Sequence, residues 1–218
     1  MKQTFPSLFT KVENFDYIQE KTLELQRLMA YYQCAIMEIE TKFKVLDTQF
    51  SLQHDRNPIN TIKSRLKSFP SIIEKLERYN HPFTVTSIEE NLSDIAGIRV
   101  VCSFLDDVYL LSDALLKQDD ITLIQKKDYI ASPKENGYRS LHLIVSVPIF
   151  LENEKRMMKV EIQLRTIAMD CWASLEHQLK YKKEAIFTKE MQDSLQECAK
   201  LSLELDNRMD ELRKQAEI

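Results

Sequence analysis

Glu161 lies in the segment Lys159-Val160-Glu161-Ile162-Gln163-Leu164-Arg165-Thr166, where apolar and polar side chains alternate strictly, the period of a half-buried strand. Val160, Ile162 and Leu164 share one face, and Lys159, Glu161, Gln163 and Arg165 share the other. Such a charged face can simply be solvated. It becomes chemical when other polar groups converge on it. A second carboxylate, Asp94, stands at the entrance to the β-branched run Ile98 to Phe104, beside Gly97, whose bare backbone admits close approach. Ser71, Lys75 and Arg78 fall at i, i+4 and i+7, so hydroxyl, ammonium and guanidinium line one helix face, with Ile72, Ile73 and Leu76 on the core side. Ser68 suits the N-cap of that helix and Pro70 its first turn, which runs to about Tyr79. A helix N-terminus with a serine and nearby lysines is suited to phosphate; the competing reading is a solvated basic face. Tyr138, Ser140 and His142 share one parity of a later strand. If that parity faces the side of Glu161, an aromatic ring, an imidazole and a carboxylate meet on one sheet surface.

Composition narrows the chemistry. The chain of 218 residues is 44% hydrophobic and 29% charged, with a formal net charge of −4, which fits one substantial soluble domain over residues 1–218. The acidity argues against stable nucleic-acid binding, though a local basic cluster could still hold a phosphorylated small molecule. Only two glycines, Gly97 and Gly137, are present, which excludes the glycine-rich phosphate loops of Rossmann and P-loop proteins; any nucleotide must be held by side chains. Cys34, Cys102, Cys171 and Cys198 are scattered without a close pair, so buried reduced thiols are expected and neither a zinc site nor a redox dithiol. His54-Asp55 superficially resembles the His-Asp pair of metal-dependent phosphohydrolases, but only His81, His142 and His177 remain to complete such a centre. No apolar run approaches the roughly 18 residues of a membrane span, and the N-terminus lacks the pattern of an export signal, so a cytoplasmic location is expected.

The elements that must position these residues follow from periodicity. Apolar residues from Leu25 to Phe50 recur in threes and fours without proline or glycine, predicting a long amphipathic helix over about 15–50, ended near Asn57-Pro58. A catalytic core over 62–182 then carries a helix at 86–92, the strand 98–104, a helix at 107–117 with Val108, Leu111 and Leu115 inward, and a strand at 121–127. The polar loop 126–139 leads into the strand 140–150, and Glu152-Asn153-Glu154 turns the chain back into the strand of Glu161, forming an antiparallel hairpin. A helix over 168–182 places Trp172, Leu175 and Leu179 at core spacing. The last helix, 189–214, spaces Met191, Leu195, Cys198, Leu205, Met209 and Leu212 so that the N-terminal helix is its natural partner, within or between subunits.

At these residues the chain resembles a known family. Lys63 to Lys75, Asp94-Ile-Ala-Gly-Ile-Arg99, Asn136-Gly-Tyr-Arg-Ser-Leu-His142, Glu161-Ile-Gln-Leu-Arg-Thr166 and Ala168 to His177 look like the synthetase motifs of RelA/SpoT proteins. The length and the terminal helices resemble the small alarmone synthetases, and Asn57-Pro-Ile with Lys63 to Ser68 looks closer to the RelP than the RelQ branch. The resemblance implies an α/β (α+β) fold of the nucleotidyltransferase kind, with a mixed, mainly antiparallel sheet of about five strands flanked by helices. It implies transfer of pyrophosphate from ATP to the 3′-hydroxyl of GDP or GTP, releasing AMP, in a homotetramer built through the terminal helices. By the same resemblance Asp94 and Glu161 would hold Mg²⁺, Glu161 would be the base, and Lys67, Ser71, Lys75 and Arg78 would meet the ATP phosphates. Arg65 and Arg99 would sandwich adenine. Tyr138 would stack on guanine, Lys134 and His142 would meet the acceptor phosphates, and Asn136 and Gln163 would add polar contacts. Asp170 receives no role, and Cys171, aromatic in many relatives, is expected to face the core. Two rivals are a relative that pyrophosphorylates adenosine or tRNA, which should show a basic RNA surface, and a silent sensor of guanine nucleotides, which should lack Asp94 or Glu161.

Overall fold

The structure is a computed structural model that describes residues 8–54, 56–181 and 188–216. Helix α1 (Leu8–His54) is followed by β1 (Ile59–Leu66), α2 (Phe69–Arg78), α3 (Val85–Asn91), β2 (Ala96–Cys102), α4 (Leu105–Leu116), β3 (Thr122–Asp128), β4 (Leu141–Phe150), β5 (Lys155–Thr166), α5 (Ile167–Tyr181) and α6 (Lys189–Gln215). The strands form one sheet in the order β1-β2-β5-β4-β3, in which only β2 and β5 run parallel. The expected mixed, mainly antiparallel sheet of five strands is therefore observed.

The apolar stripe of α1 explains its place. Leu28, Tyr32, Ala35, Ile36, Ile39, Phe43 and Leu46 are all buried, and they pack against the face formed by Ile98 and Val100 of β2, Leu143 and Val145 of β4, and Val160 and Ile162 of β5. Val108, Leu111 and Leu115 of α4 join the same core. Truncating a fully buried ring such as Phe43 to alanine removes about 3–5 kcal/mol of such packing. The described stripe of α1 is thus spent on the core of its own subunit. Helix α6 packs on α5 and leaves Leu201, Leu205, Met209 and Leu212 exposed.

Several readings change on folding. β1 has no apolar alternation, since its burial pattern is that of an edge, and its strand form comes from antiparallel pairing with β2. Ile73 is 38% exposed although it sits beside buried Ile72 and Leu76. Leu175 and Leu179 lie on the outer face of α5, and Cys171 and Cys198 are exposed, whereas Cys102 is buried and Cys34 partly so; all four are free thiols. Trp172 is buried as expected, in a small cluster with Ala173 and Ala199 against which Tyr138 packs. Asp55 and Lys182 lie outside the described residues.

One buried ion pair fastens the start of β1 to α4. Arg56 donates to both oxygens of Asp107 at 2.8 and 2.7 Å, and Asp107, fully buried, also accepts from the backbone N–H of Phe104 at the head of α4. Removing one member of a buried pair strands its partner, at a cost of about 3–5 kcal/mol. Asp107→Ala is therefore expected to lower the urea midpoint by an amount corresponding to about 3–5 kcal/mol; unfolding curves superimposable on wild type would contradict this anchoring role.

Candidate active site

The register of the sheet sets the site. Across one row of the face opposite α1 lie Arg65, Gly97, Glu161, Ile144 and Gln125; across the next lie Lys63, Arg99, Gln163, His142 and Lys127. Residues two apart share a face, so these rows form one polar surface. A cleft at its β1 side is lined by Lys63, Arg65, Gly97, Arg99, Glu161 and Gln163. A second cleft at its β3 side includes Lys75, Asp94, Tyr129, Lys134, His142 and Glu161. Glu161 borders both.

Gly97 makes room in the first cleft for the Arg65 side chain. A Cβ there would come within 3.2 Å of both Cγ and Nε of Arg65, so its absence lets the Arg65 stem lie over the backbone toward Glu161, whose Oε2 is 3.7 Å from Nη2. On the next row Arg99 is held by Asp170 at 3.1 Å, and the same carboxylate takes Arg165 at 3.2 Å and Lys63 at 3.6 Å.

Around Glu161 the polar contacts form a closed chain. Gln163 Nε2 donates to Glu161 Oε2 at 3.2 Å, and Gln163 Oε1 accepts from Arg165 at 2.9 Å. Arg165 also donates to the Tyr138 hydroxyl at 2.6 Å, and that hydroxyl lies 2.8 Å from Nε2 of His142. A guanidinium can only donate, so the phenol oxygen accepts from Arg165, and either partner can donate in its contact with Nε2. The other ring nitrogen, Nδ1, lies 3.7 Å from Glu161 Oε1. Burial pushes the Glu161 carboxyl upward, but the hydrogen bond and charge of His142, with help from Arg65, outweigh it and hold the group below the usual carboxylate range.

Asp94 is the other electrostatic centre. Its Oδ2 meets Lys67 and Lys75, each at 2.8 Å, one from the end of β1 and one from α2. Burial pushes its carboxyl upward, but the hydrogen bonds and charges of Lys67 and Lys75 prevail and hold it below the usual carboxylate range. Oδ1 of Asp94 is buried without a hydrogen-bond partner.

Residues 64–186 match the profile described as "Region found in RelA / SpoT proteins". The chain belongs to the RelA/SpoT family. It is 40% identical over 206 residues to GTP pyrophosphokinase YwaC of Bacillus subtilis (strain 168), a match covering 94% of this chain and 98% of that protein. GTP pyrophosphokinase YjbM of the same bacterium is 36% identical over 188 residues, 86% of this chain and 88% of that one. Among solved structures, small alarmone synthetase 2 from B. subtilis superposes with a TM-score of 0.80 at 40% identity, covering 88% of this chain and 99% of that one. Small alarmone synthetase 1 from the same organism, in a structure bound to its product pppGpp, gives 0.80 at 36% identity, with coverage of 88% and 97%.

In this RelA/SpoT domain the candidates singled out by sequence separate into those that meet and those that do not. Arg65, Lys67, Lys75, Asp94, Arg99, Lys134, Tyr138, His142, Glu161 and Gln163 line the two clefts or contact residues that do. Lys134 stands over the rings of Tyr129 and Tyr138 at 4.6 and 5.0 Å. Ser71 sits at the head of α2, 3.0 Å from Ser68 Oγ, whereas Arg78 turns outward to Glu74 on its own helix. Asn136 is turned away from Glu161: its amide nitrogen donates to Glu176 at 3.2 Å and its oxygen caps the backbone N–H of Tyr138 at 3.2 Å. Tyr129, packed edge-on against His142 with centroids 5.3 Å apart, was not singled out by any motif, and Gln125 and Lys127 could have been found from their parity on β3.

Among the described residues no group of three or more His, Cys, Asp and Glu side chains is arranged to hold a metal ion. Two neighbouring carboxylates with one orphaned oxygen nevertheless fit a hard divalent cation that draws its remaining ligands from water and substrate phosphate. Because burial would remain after His142 is removed, His142→Ala is expected to move the Glu161 carboxyl upward in a ¹³C NMR titration; an unchanged or lower midpoint would show that His142 does not set it.

Proposed function

We propose that this protein is a (p)ppGpp synthetase, transferring pyrophosphate from ATP to the 3′-hydroxyl of GDP or GTP and releasing AMP. The observation that carries this reading is the position of Glu161 between the two clefts, flanked by Arg65 on one side and His142 on the other. Near-full-length similarity to proteins named GTP pyrophosphokinase supports it.

In this reading ATP occupies the β1 side. Arg65 and Arg99, on neighbouring strands, present planar guanidinium groups to adenine, a stacking role lysine cannot fill. Lys67 and Lys75 exchange Asp94 for the phosphates, with Ser71 at the α2 N-terminus and Arg78 at the outer limit of the grip. The acceptor nucleotide occupies the β3 side, with guanine on Tyr138, its phosphates near Lys134 and His142, and polar contacts from Asn136 and Gln163. The 3′-oxygen then attacks the β-phosphorus in line with the leaving group. Its proton passes to Glu161 as the new O–P bond forms. The bond from the β-phosphorus to the oxygen shared with the α-phosphate breaks, and AMP departs with that oxygen. Catalysis in such transfers rests on positioning and charge neutralisation. Asp94 and Glu161 are the residues that would hold Mg²⁺, which when bound offsets the negative charge of the phosphates.

The same proposal includes a homotetramer assembled through the terminal helices, supported by the exposed leucines of α6, and a cytoplasmic location. No described helix is long and apolar enough to cross a membrane.

Glu161→Gln is expected to reduce synthesis by about 10²–10⁴-fold, with the melting temperature retained; wild-type turnover in that variant would remove Glu161 as the base. Incubation with ATP and GDP, GTP, AMP or tRNA, followed by separation of labelled products, distinguishes this activity from the rival transfers. Chelation with EDTA is expected to stop turnover and added Mg²⁺ to restore it; turnover indifferent to chelation would remove the metal from the proposal. Native mass measurement at micromolar concentration is expected to show four chains, and a stable monomer would contradict the assembly.

A further inference from the structure

Helix α6 lies outside both clefts, yet its inner face is spent on the loop that carries Lys134 and Tyr138. Ala199 is the one buried residue on this helix, and it lies directly under Gly137. A Cβ at Gly137 would fall 2.4 Å from the Ala199 Cβ, and Gly137 has φ of +87°, a conformation that side chains resist. Two turns further along α6, Asp206 receives Arg139 at 2.7 Å, with both side chains at most 7% exposed, and Ser202 Oγ accepts from the same guanidinium at 3.3 Å. In the other direction Gln196 donates to the carbonyl of Glu135 at 3.2 Å, and the Trp172 indole donates to the carbonyl of Leu195 at 2.9 Å.

Backbone hydrogen bonds close the loop on itself. The N–H of Gly137 bonds the carbonyl of Lys134 at 2.8 Å, and the N–H of Lys134 bonds the carbonyl of Tyr138 at 3.1 Å. Lys134 and Tyr138 are thus fastened to the same turn that Ala199 and Asp206 hold from below. A surface helix has no need of a buried ion pair for stability, since such pairs barely offset their own desolvation; what a buried pair supplies well is a fixed relative position.

We propose that α6 is a positioning clasp for the acceptor-nucleotide loop, acting through Ala199 beneath Gly137 and through the Arg139–Asp206 ion pair. The proposal rests on the assignment of this loop to GDP or GTP. Asp206 and Ala199 are positioning residues that touch no substrate. Their loss weakens the acceptor side and spares the ATP side, which is built on β1, α2 and β2.

The test combines two readouts on wild type, Asp206→Ala, Asp206→Glu and Ala199→Leu in the full chain. Hydrogen exchange without nucleotide is expected to accelerate more at residues 134–139 than at the amides of β2 and β5, both in Ala199→Leu and in Asp206→Ala, which also strands buried Arg139. Steady-state assays are expected to give a KM for GDP raised about tenfold, the loss of roughly 1.4 kcal/mol of binding, with the KM for ATP within twofold of wild type. Asp206→Glu is expected to recover most of both effects. Equal changes in the two KM values, exchange raised equally in loop and sheet, or a loop unaltered by either substitution would overturn the clasp. A wild-type protein that makes no alarmone would instead refute the functional reading, and loop exchange would still decide whether α6 holds the loop.

Discussion

The parallel pairing of β2 with β5 is the constraint on which the rest of the site depends. It sets Gly97 beside Glu161, and Arg99 beside Gln163, in a sheet whose other neighbours are all antiparallel. A slip of one residue would turn Glu161 into the α1 core and bring Ile162 to the surface. That error is opposed by Val160, Ile162 and Leu164, all fully buried on the other face. Packing against α1 and α4 thus fixes the orientation of a carboxylate that neither helix touches.

The site keeps its charges in a prearranged imbalance. Asp94 faces two ammonium groups through one oxygen, so this corner carries excess positive charge where polyphosphate would be received. The carboxyls of Asp94 and Glu161 are both held below their ordinary range in the folded protein. Each therefore contributes stability that is present above its ordinary unfolded value and lost as the pH falls through the folded value. The low value at Glu161 also means that it is ionised at neutral pH and available to accept a proton, although a weak base by strength alone. Its usefulness must come from placement more than from basicity.

Much of this arrangement was legible in the sequence because periodicity records burial. The stripe of α1, the β4–β5 hairpin and the parity shared by Glu161, Gln163 and Arg165 could all be read directly, and the resemblance to RelA/SpoT proteins supplied candidate residues and the roles proposed for them. β1 could not be read in this way, because an edge strand needs few apolar residues and takes its form from the neighbour it pairs with. Leu175, Leu179 and Ile73 misled for the converse reason: spacing identifies a helix face and says nothing of what covers it. On strand parity alone, a solvated or structural role for Arg165 competes with a functional one. Its buried position depends on Asp170 from the next helix and Tyr138 from a distant loop, contacts that no local pattern encodes. Tyr129 gave no signal at all, since a single aromatic in a polar loop has no period.

The sheet order has a further effect outside catalysis. Its two outer strands, β1 and β3, are the most exposed, and an unpaired strand edge is a template for joining another chain. Lys63 and Arg65 lie on one of these margins and Lys126 and Lys127 on the other. When two copies meet edge to edge, these cations repel, which counters the attraction of exposed Leu123 and Ile124. The basic residues on these margins thereby also oppose fibre-like self-association of the folded chain.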